Sequence, residues 1–266
     1  VRKFFLIIFL TGSFINQGLA QQDSIQWKLP ADRKQPKVIL LKDQILGTSY
    51  MEDKFRGNWS GIFLGINGLA QTDYSDYPED ARNFLDLELL RSFVFNINPL
   101  QFSIGLQRSR NTIGLVTGLG FEVQSWHLDN DHLTITKGPY RVEPVELTYD
   151  NPRKSKLIST YLTVPLLAEF QIPLKQYGNR IYFSAGVIAG ARLRTHTKIK
   201  YTDNEKDYKV KSPDDYYLRD FRYSATFRVG YRWINLFATY DLRPVFKDDK
   251  GPEVYPWSVG IALISF

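Results

Sequence analysis

The chain has 266 residues, a formal net charge of +6, 15% aromatic residues and no cysteine. Without cysteine there are no disulfides and no thiolate metal sites, and no anchor attached through a processed cysteine is expected. The basic balance suits either nucleic acid or an anionic membrane surface.

The N-terminus bears on that choice. Arg2 and Lys3 precede an apolar run, Phe4 to Leu10, and Gly18 and Ala20 place small residues where a signal peptidase reads. This pattern predicts a secretory signal peptide over residues 1–20. Its apolar run is too short for a spanning helix, which needs about 20 residues. Export makes nucleic acid an unexpected partner and favours a membrane surface. Residues 21–56 are polar and basic, with one apolar stretch at Val38 to Leu41. They are expected to form a periplasmic extension without a folded domain.

From Gly57 the pattern turns to alternation with period two, the mark of strands. Predicted strands are Trp59 to Ala70, Leu87 to Leu106, Thr112 to Leu128 and Ile158 to Ile172, then Arg180 to Arg194, Phe221 to Trp233, Ile234 to Arg243 and Tyr255 to Phe266. The clearest is Phe221 to Trp233, where Phe221, Tyr223, Phe227, Val229 and Tyr231 alternate with Arg222, Ser224, Thr226, Arg228 and Gly230. Pro99 interrupts the second strand, so a bulge or early end is expected there. Long polar connections at 71–86, 129–156, 201–217 and 246–254 alternate with short ones near 107–111, 173–179 and 233–235.

This pattern predicts an all-β fold, an eight-stranded antiparallel transmembrane β-barrel of up-and-down meander type over residues 57–266. Both termini would face the periplasm. Alternation alone leaves open which face is the lumen. The polar face carries Gly114, Gly118, Gly120, Gly186, Gly190 and Gly230, which suit a crowded narrow interior. The apolar face carries aromatics toward strand ends, including Phe170, Tyr231 and Trp233, as an interfacial girdle would. The last strand ends at Phe266, a terminal aromatic of the kind the outer-membrane insertion machinery reads. Outer-membrane location follows, with lipid and lipopolysaccharide as surroundings.

Several segments resemble the PorT-like outer-membrane β-barrel proteins. They are Gly57-Asn58-Trp59-Ser60-Gly61, Gly114-Leu115-Val116-Thr117-Gly118-Leu119-Gly120-Phe121, Lys154-Ser155-Lys156-Leu157 and Tyr161-Leu162-Thr163-Val164-Pro165-Leu166-Leu167, with the strand ending at Phe266. The resemblance implies a barrel without known catalytic residues. It also implies secretion-system proteins as partners for some members.

Candidate chemistry is sparse. Ser125, His127 and Asp129 share a strand face, but i, i+2 neighbours lie about 6.8 Å apart. A nucleophile and its base need about 2.6–3.2 Å, so these three cannot form a triad among themselves. His132 could pair with His127 on a metal, but no ligand cluster supports it. Arg192, Arg194, His196, Lys198 and Lys200 share one strand face, and Arg222, Arg228 and Arg232 share the polar face of the next strand. They could line an anion-attracting wall or a lipopolysaccharide-facing rim. The favoured reading is a lumen charge network of Arg192, Arg194, Arg222, Arg228 and Arg232 with Glu122, Glu169 and Asp241, because buried charge must be paired. His196 to Lys200 would emerge from the membrane into solvent. No cofactor, metal or catalytic residue is expected. The role is structural or interactive, in secretion or envelope assembly. The alternative is a small outer-membrane enzyme acting on lipid or peptide through His127, His132 and His196.

Overall fold

The computed structural model describes residues 55–107, 111–149, 151–174, 180–203 and 206–265. The expected signal peptide, the extension as far as residue 54 and Phe266 lie outside the described residues.

Eleven strands follow in chain order: β1 (Gly61–Asp73), β2 (Phe93–Gly105), β3 (Ile113–His127), β4 (Leu133–Lys137), β5 (Val142–Glu146), β6 (Pro152–Pro173), β7 (Arg180–Asp203), β8 (Lys206–Pro213), β9 (Phe221–Tyr231), β10 (Ile234–Asp241) and β11 (Glu253–Ser265). Nine form one sheet in the order β6-β3-β2-β1-β11-β10-β9-β7-β8, and β6 also pairs with β7. The pairings therefore run in a closed circuit through β1, β2, β3, β6, β7, β9, β10 and β11. Strand β8 lies outside the circuit, paired to the far end of β7, and β4–β5 is a separate hairpin. The sequence pattern missed these three because they are short and polar, without sustained alternation.

Antiparallel pairing closes the sheet, so that each strand of the circuit has a hydrogen-bonded neighbour on both sides. Short connections join β2 to β3, β6 to β7 and β9 to β10 at the end where β1 begins and β11 stops. The β9–β10 turn is tight, with Tyr231 opposite Ile234 and Arg232 at φ 57°. The four long connections gather at the other end. The expected irregularity at Pro99 is present as a register shift between Ile97 and Leu100.

Side chains alternate in and out around the circuit. Outward and exposed are Leu64, Ile66, Ile97, Phe102, Leu115, Phe121, Val164, Phe170, Phe183, Val187, Phe227, Leu236, Val259 and Ile261. No charged residue interrupts this face over 93–106, 113–123, 162–172, 181–193, 221–231 or 255–264. A soluble protein rarely exposes so continuous an apolar surface. From Leu162 to Ile172 the belt runs about 34 Å along a strand, or about 24 Å high at a 45° tilt, close to a hydrocarbon layer.

Candidate functional site: the barrel interior

The interior is filled in layers. At the end where β1 begins and β11 stops, residues 55–60 lie inside the circuit. Phe55 and Trp59 pack with Val116, Leu167 and Ile188, all inward residues. Inward polar side chains fix this segment's backbone. Gln101 accepts from the N–H groups of Trp59 and Ser60 at 2.5 and 2.9 Å and donates to Gly57 O at 2.7 Å. Asn98 donates to Trp59 O at 3.1 Å, and Gln171 to Arg56 O at 2.6 Å. Asn58 donates to Glu169 from its backbone at 3.0 Å and its side chain at 2.7 Å. Glycine makes the room: a Cβ on Gly118 would meet the Trp59 ring at 2.8 Å, and one on Gly114 the Phe55 ring at 2.3 Å.

Above this segment lies Arg228, fully buried. Its guanidinium stands 4.2 Å from the Trp59 ring centre and 4.7 Å from that of Phe63. Among the described residues no carboxylate pairs with it, and Nε and Nη1 have no hydrogen-bond partner. The aromatic faces supply the compensating attraction. Next come Phe63, Val94 and Phe237, then a charged layer. Arg222 binds Glu122 and reaches Asp241 at 3.5 Å. Gln124 donates to Glu122 at 2.6 Å, Ser224 to Asp241 at 2.5 Å, and Arg222 covers the Tyr161 ring at 4.5 Å. Two carboxylates around one guanidinium give the layer a formal negative charge.

The long connections fold over the far end as a dome. Tyr74, Tyr77, Phe84, Trp126, Val142, Tyr216, Leu218 and Phe246 are buried in one apolar cluster. Tyr77 donates to Val142 O at 2.7 Å, and Val142 donates its N–H to Lys250 O at 2.8 Å, tying three connections together. Burial pushes Tyr74 and Tyr77 up to about 12, as expected of phenols in a dry core.

Residues 52–245 match the family described as outer membrane protein beta-barrel domain. The chain belongs to that family. No curated protein and no solved structure matches the chain. The match places this outer-membrane β-barrel in the outer membrane, in agreement with the apolar belt.

Within the barrel, the expected charge network is only partly assembled. Arg222, Arg228, Glu122, Glu169 and Asp241 are buried in the interior. Glu169, however, serves the 55–60 segment rather than an arginine. Arg192 sits at the rim, its Nη2 2.5 Å from Asp220, and holds that carboxyl below its ordinary value. Arg194 is exposed on the outer face and Arg232 in the β9–β10 turn. The cause for Arg194 is a bulge: Tyr161 faces Arg192 while the adjacent Thr160 faces Arg194, leaving Leu193 unpaired. One extra residue reverses the alternation. Arg232 fails because the strand ends at Tyr231.

The Ser125–His127–Asp129 set does not converge. His127 is buried, with Nδ1 3.5 Å from Glu88 and Nε2 3.7 Å from Asp131. Asp129 instead donates its backbone N–H to Asp86 O at 2.8 Å. Burial and Lys156 lower the His127 pKa, while Asp131 and Glu88 oppose the shift. His132 is exposed before β4 and His196 lies on β7. Among the described residues no hydrogen bond or ion pair joins two histidines, and no metal-binding cluster is present. Asn58, Trp59, Gln101 and Gln171 are the interior residues that sequence reasoning missed as a group. The first two sit in an irregular segment with no period, and their partners are far away in sequence.

Proposed function

We propose that this outer-membrane β-barrel spans the membrane through its circuit of eight strands as a closed, non-conducting body, and works without catalysis. The loop dome would be its interaction surface. The observation that carries this reading is the continuity of the filling: the 55–60 segment, the Arg228 aromatic layer, the Arg222 charge layer and the dome lie in series. A narrow barrel has room for side chains or a passage, not both. The PorT-like resemblance suggests secretion or envelope assembly as the process served. Strand β11 would carry the contact with the insertion machinery.

Membrane fractionation with heat-modifiable gel mobility tests the spanning reading. The protein is expected in the outer-membrane fraction, with folded and boiled samples migrating differently. Recovery as a soluble periplasmic protein would end it. Lipid or peptide hydrolysis by the purified barrel, lost in His127→Ala, would replace the non-catalytic reading with an enzymatic one.

A further inference from the structure

Strands β6, β7 and β8 run past the apolar belt on the loop side. Register places two rows of lysines across them on the outward face. Lys156, Lys198 and Lys211 form one row, in which Lys156 is buried and donates to Arg91 O at 3.0 Å, and Lys154, Lys200 and Lys209 form the next. Nearer the belt, the same face carries Arg194 and His196. The Leu193 bulge puts them there; without it they would take the inward side, which Thr195 and Thr197 now occupy as buried residues.

Like charges directly opposite on neighbouring strands repel. The chain does little to relieve this. Among the described residues, no ion pair reaches Lys154, Arg194, Lys198, Lys200, Lys209 or Lys211. Glu88 and Asp131 border the patch at Lys156 but also serve Arg91 and lie against His127. Asp207 lies one rung beyond Lys209 and accepts the Thr202 hydroxyl at 2.8 Å. Burial and the neighbouring lysines lower Lys156 to about 8 and also lower Lys198. A merely solvated face would not need to concentrate cations at facing positions.

We propose that this outward face of β6, β7 and β8 binds the phosphorylated headgroup of an outer-leaflet glycolipid. The inference rests on the reading above, in which the barrel spans the membrane with its long connections outside. Position selects the ligand. On the same strands and the same face, Leu162, Val164, Val187 and Ala189 continue the belt, so acyl chains lie against them while phosphates meet the cations. From Arg194 to Lys200 the cations extend about 20 Å along the strand. A single phosphodiester headgroup covers the first rung. Sugars that carry phosphates at several heights cover all of them. An acidic protein would have to reach the same face past the lipid surface, so lipid is the committed occupant.

Binding of the refolded full chain in detergent is measured against three probes: a phosphorylated lipopolysaccharide, the same glycolipid with its phosphates removed, and inorganic pyrophosphate. A lysine at an anionic surface is worth about fivefold in affinity. The substitutions Lys198→Gln, Lys200→Gln, Lys209→Gln and Lys211→Gln together are therefore expected to weaken phosphorylated glycolipid binding by about six-hundredfold. Removing the phosphates should cost the wild type at least about tenfold. If the fourfold variant does not fold, Lys209→Gln with Lys211→Gln makes the same comparison, since β8 lies outside the circuit. Equal binding of the dephosphorylated lipid, or undiminished binding by the variant, overturns the proposal. Pyrophosphate binding as tightly as the glycolipid overturns the lipid assignment, as does tighter binding of a polyglutamate peptide. Heat-modifiable mobility is recorded on each sample. A wild type without it refutes the membrane reading and this inference together, whereas a modifiable wild type indifferent to phosphate refutes this inference alone.

Discussion

Arg222 holds two buried carboxylates, Glu122 and Asp241, on one guanidinium. Arg222→Met keeps the volume but leaves both without a counter-charge, and breaking a buried pair from one side costs about 3–5 kcal/mol. The midpoint of urea unfolding, read by heat-modifiable mobility, should fall accordingly. Glu122→Gln should cost less, because Asp241 remains to pair with the arginine. An Arg222→Met protein as stable as wild type would contradict the charge layer. His127 supplies a pH dependence. Its folded pKa lies below the ordinary 6.5, so the unfolded chain binds more protons in the interval between. Stability is therefore full above about 6.5 and declines as pH falls toward the folded value. The protection factor of the His127 amide, whose N–H is bonded to Ser92 Oγ at 2.9 Å, should fall from pH 7 to pH 5 once the slower intrinsic exchange at low pH is divided out. His127→Gln should flatten that change, and a change as large in the variant would exclude His127 as its source.

The segment 55–60 and strand β7 mark where elements could and could not be read from sequence. Alternation found every strand of the circuit, because one face is apolar and exposed and the other packs the interior. Arg222, Arg228, Glu122, Glu169 and Asp241 are buried in the interior by the same alternation. It failed at Arg194, because a bulge leaves no mark in a pattern of long side chains such as Arg192-Leu193-Arg194. It put Trp59 at the start of the first strand, whereas β1 begins at Gly61 and Asn58 and Trp59 are placed by Gln101, Asn98 and Glu169 from other strands. Gln101 is the main tie. Gln101→Ala removes the acceptor of two N–H groups and the donor to Gly57 O. A buried polar group left unpaired costs about 1–3 kcal/mol, so the segment should loosen while the circuit stays closed. Hydrogen exchange at Trp59 and Ser60 is expected to speed by tenfold or more (about 1.4 kcal/mol), with β6 and β7 unchanged. Exchange at the wild-type rate would show that Gln101 does not hold the segment.

Across the whole molecule the layers block the same axis independently, and that fixes how conduction should respond to mutation. The segment 55–60 fills one end, Arg222 and its partners cross the middle, and the dome covers the other end. In planar-bilayer recording the wild-type barrel should show no stable conductance steps. Loosening one layer should not change this: with Gln101→Ala, the charge layer and dome still stand in the path. With Arg222→Met, the two carboxylates attract water, but Trp59 on one side and the Tyr74–Tyr77–Phe84 group on the other remain. Stable steps are expected only when Gln101→Ala, Arg222→Met and a cut in the dome are combined. Even then they should be small, because a barrel of this size leaves little space between side chains. Large, stable steps in the wild type would refute a closed interior. Steps in a single-layer variant would refute the independence of the layers, and would make the remaining two a gate rather than a filling.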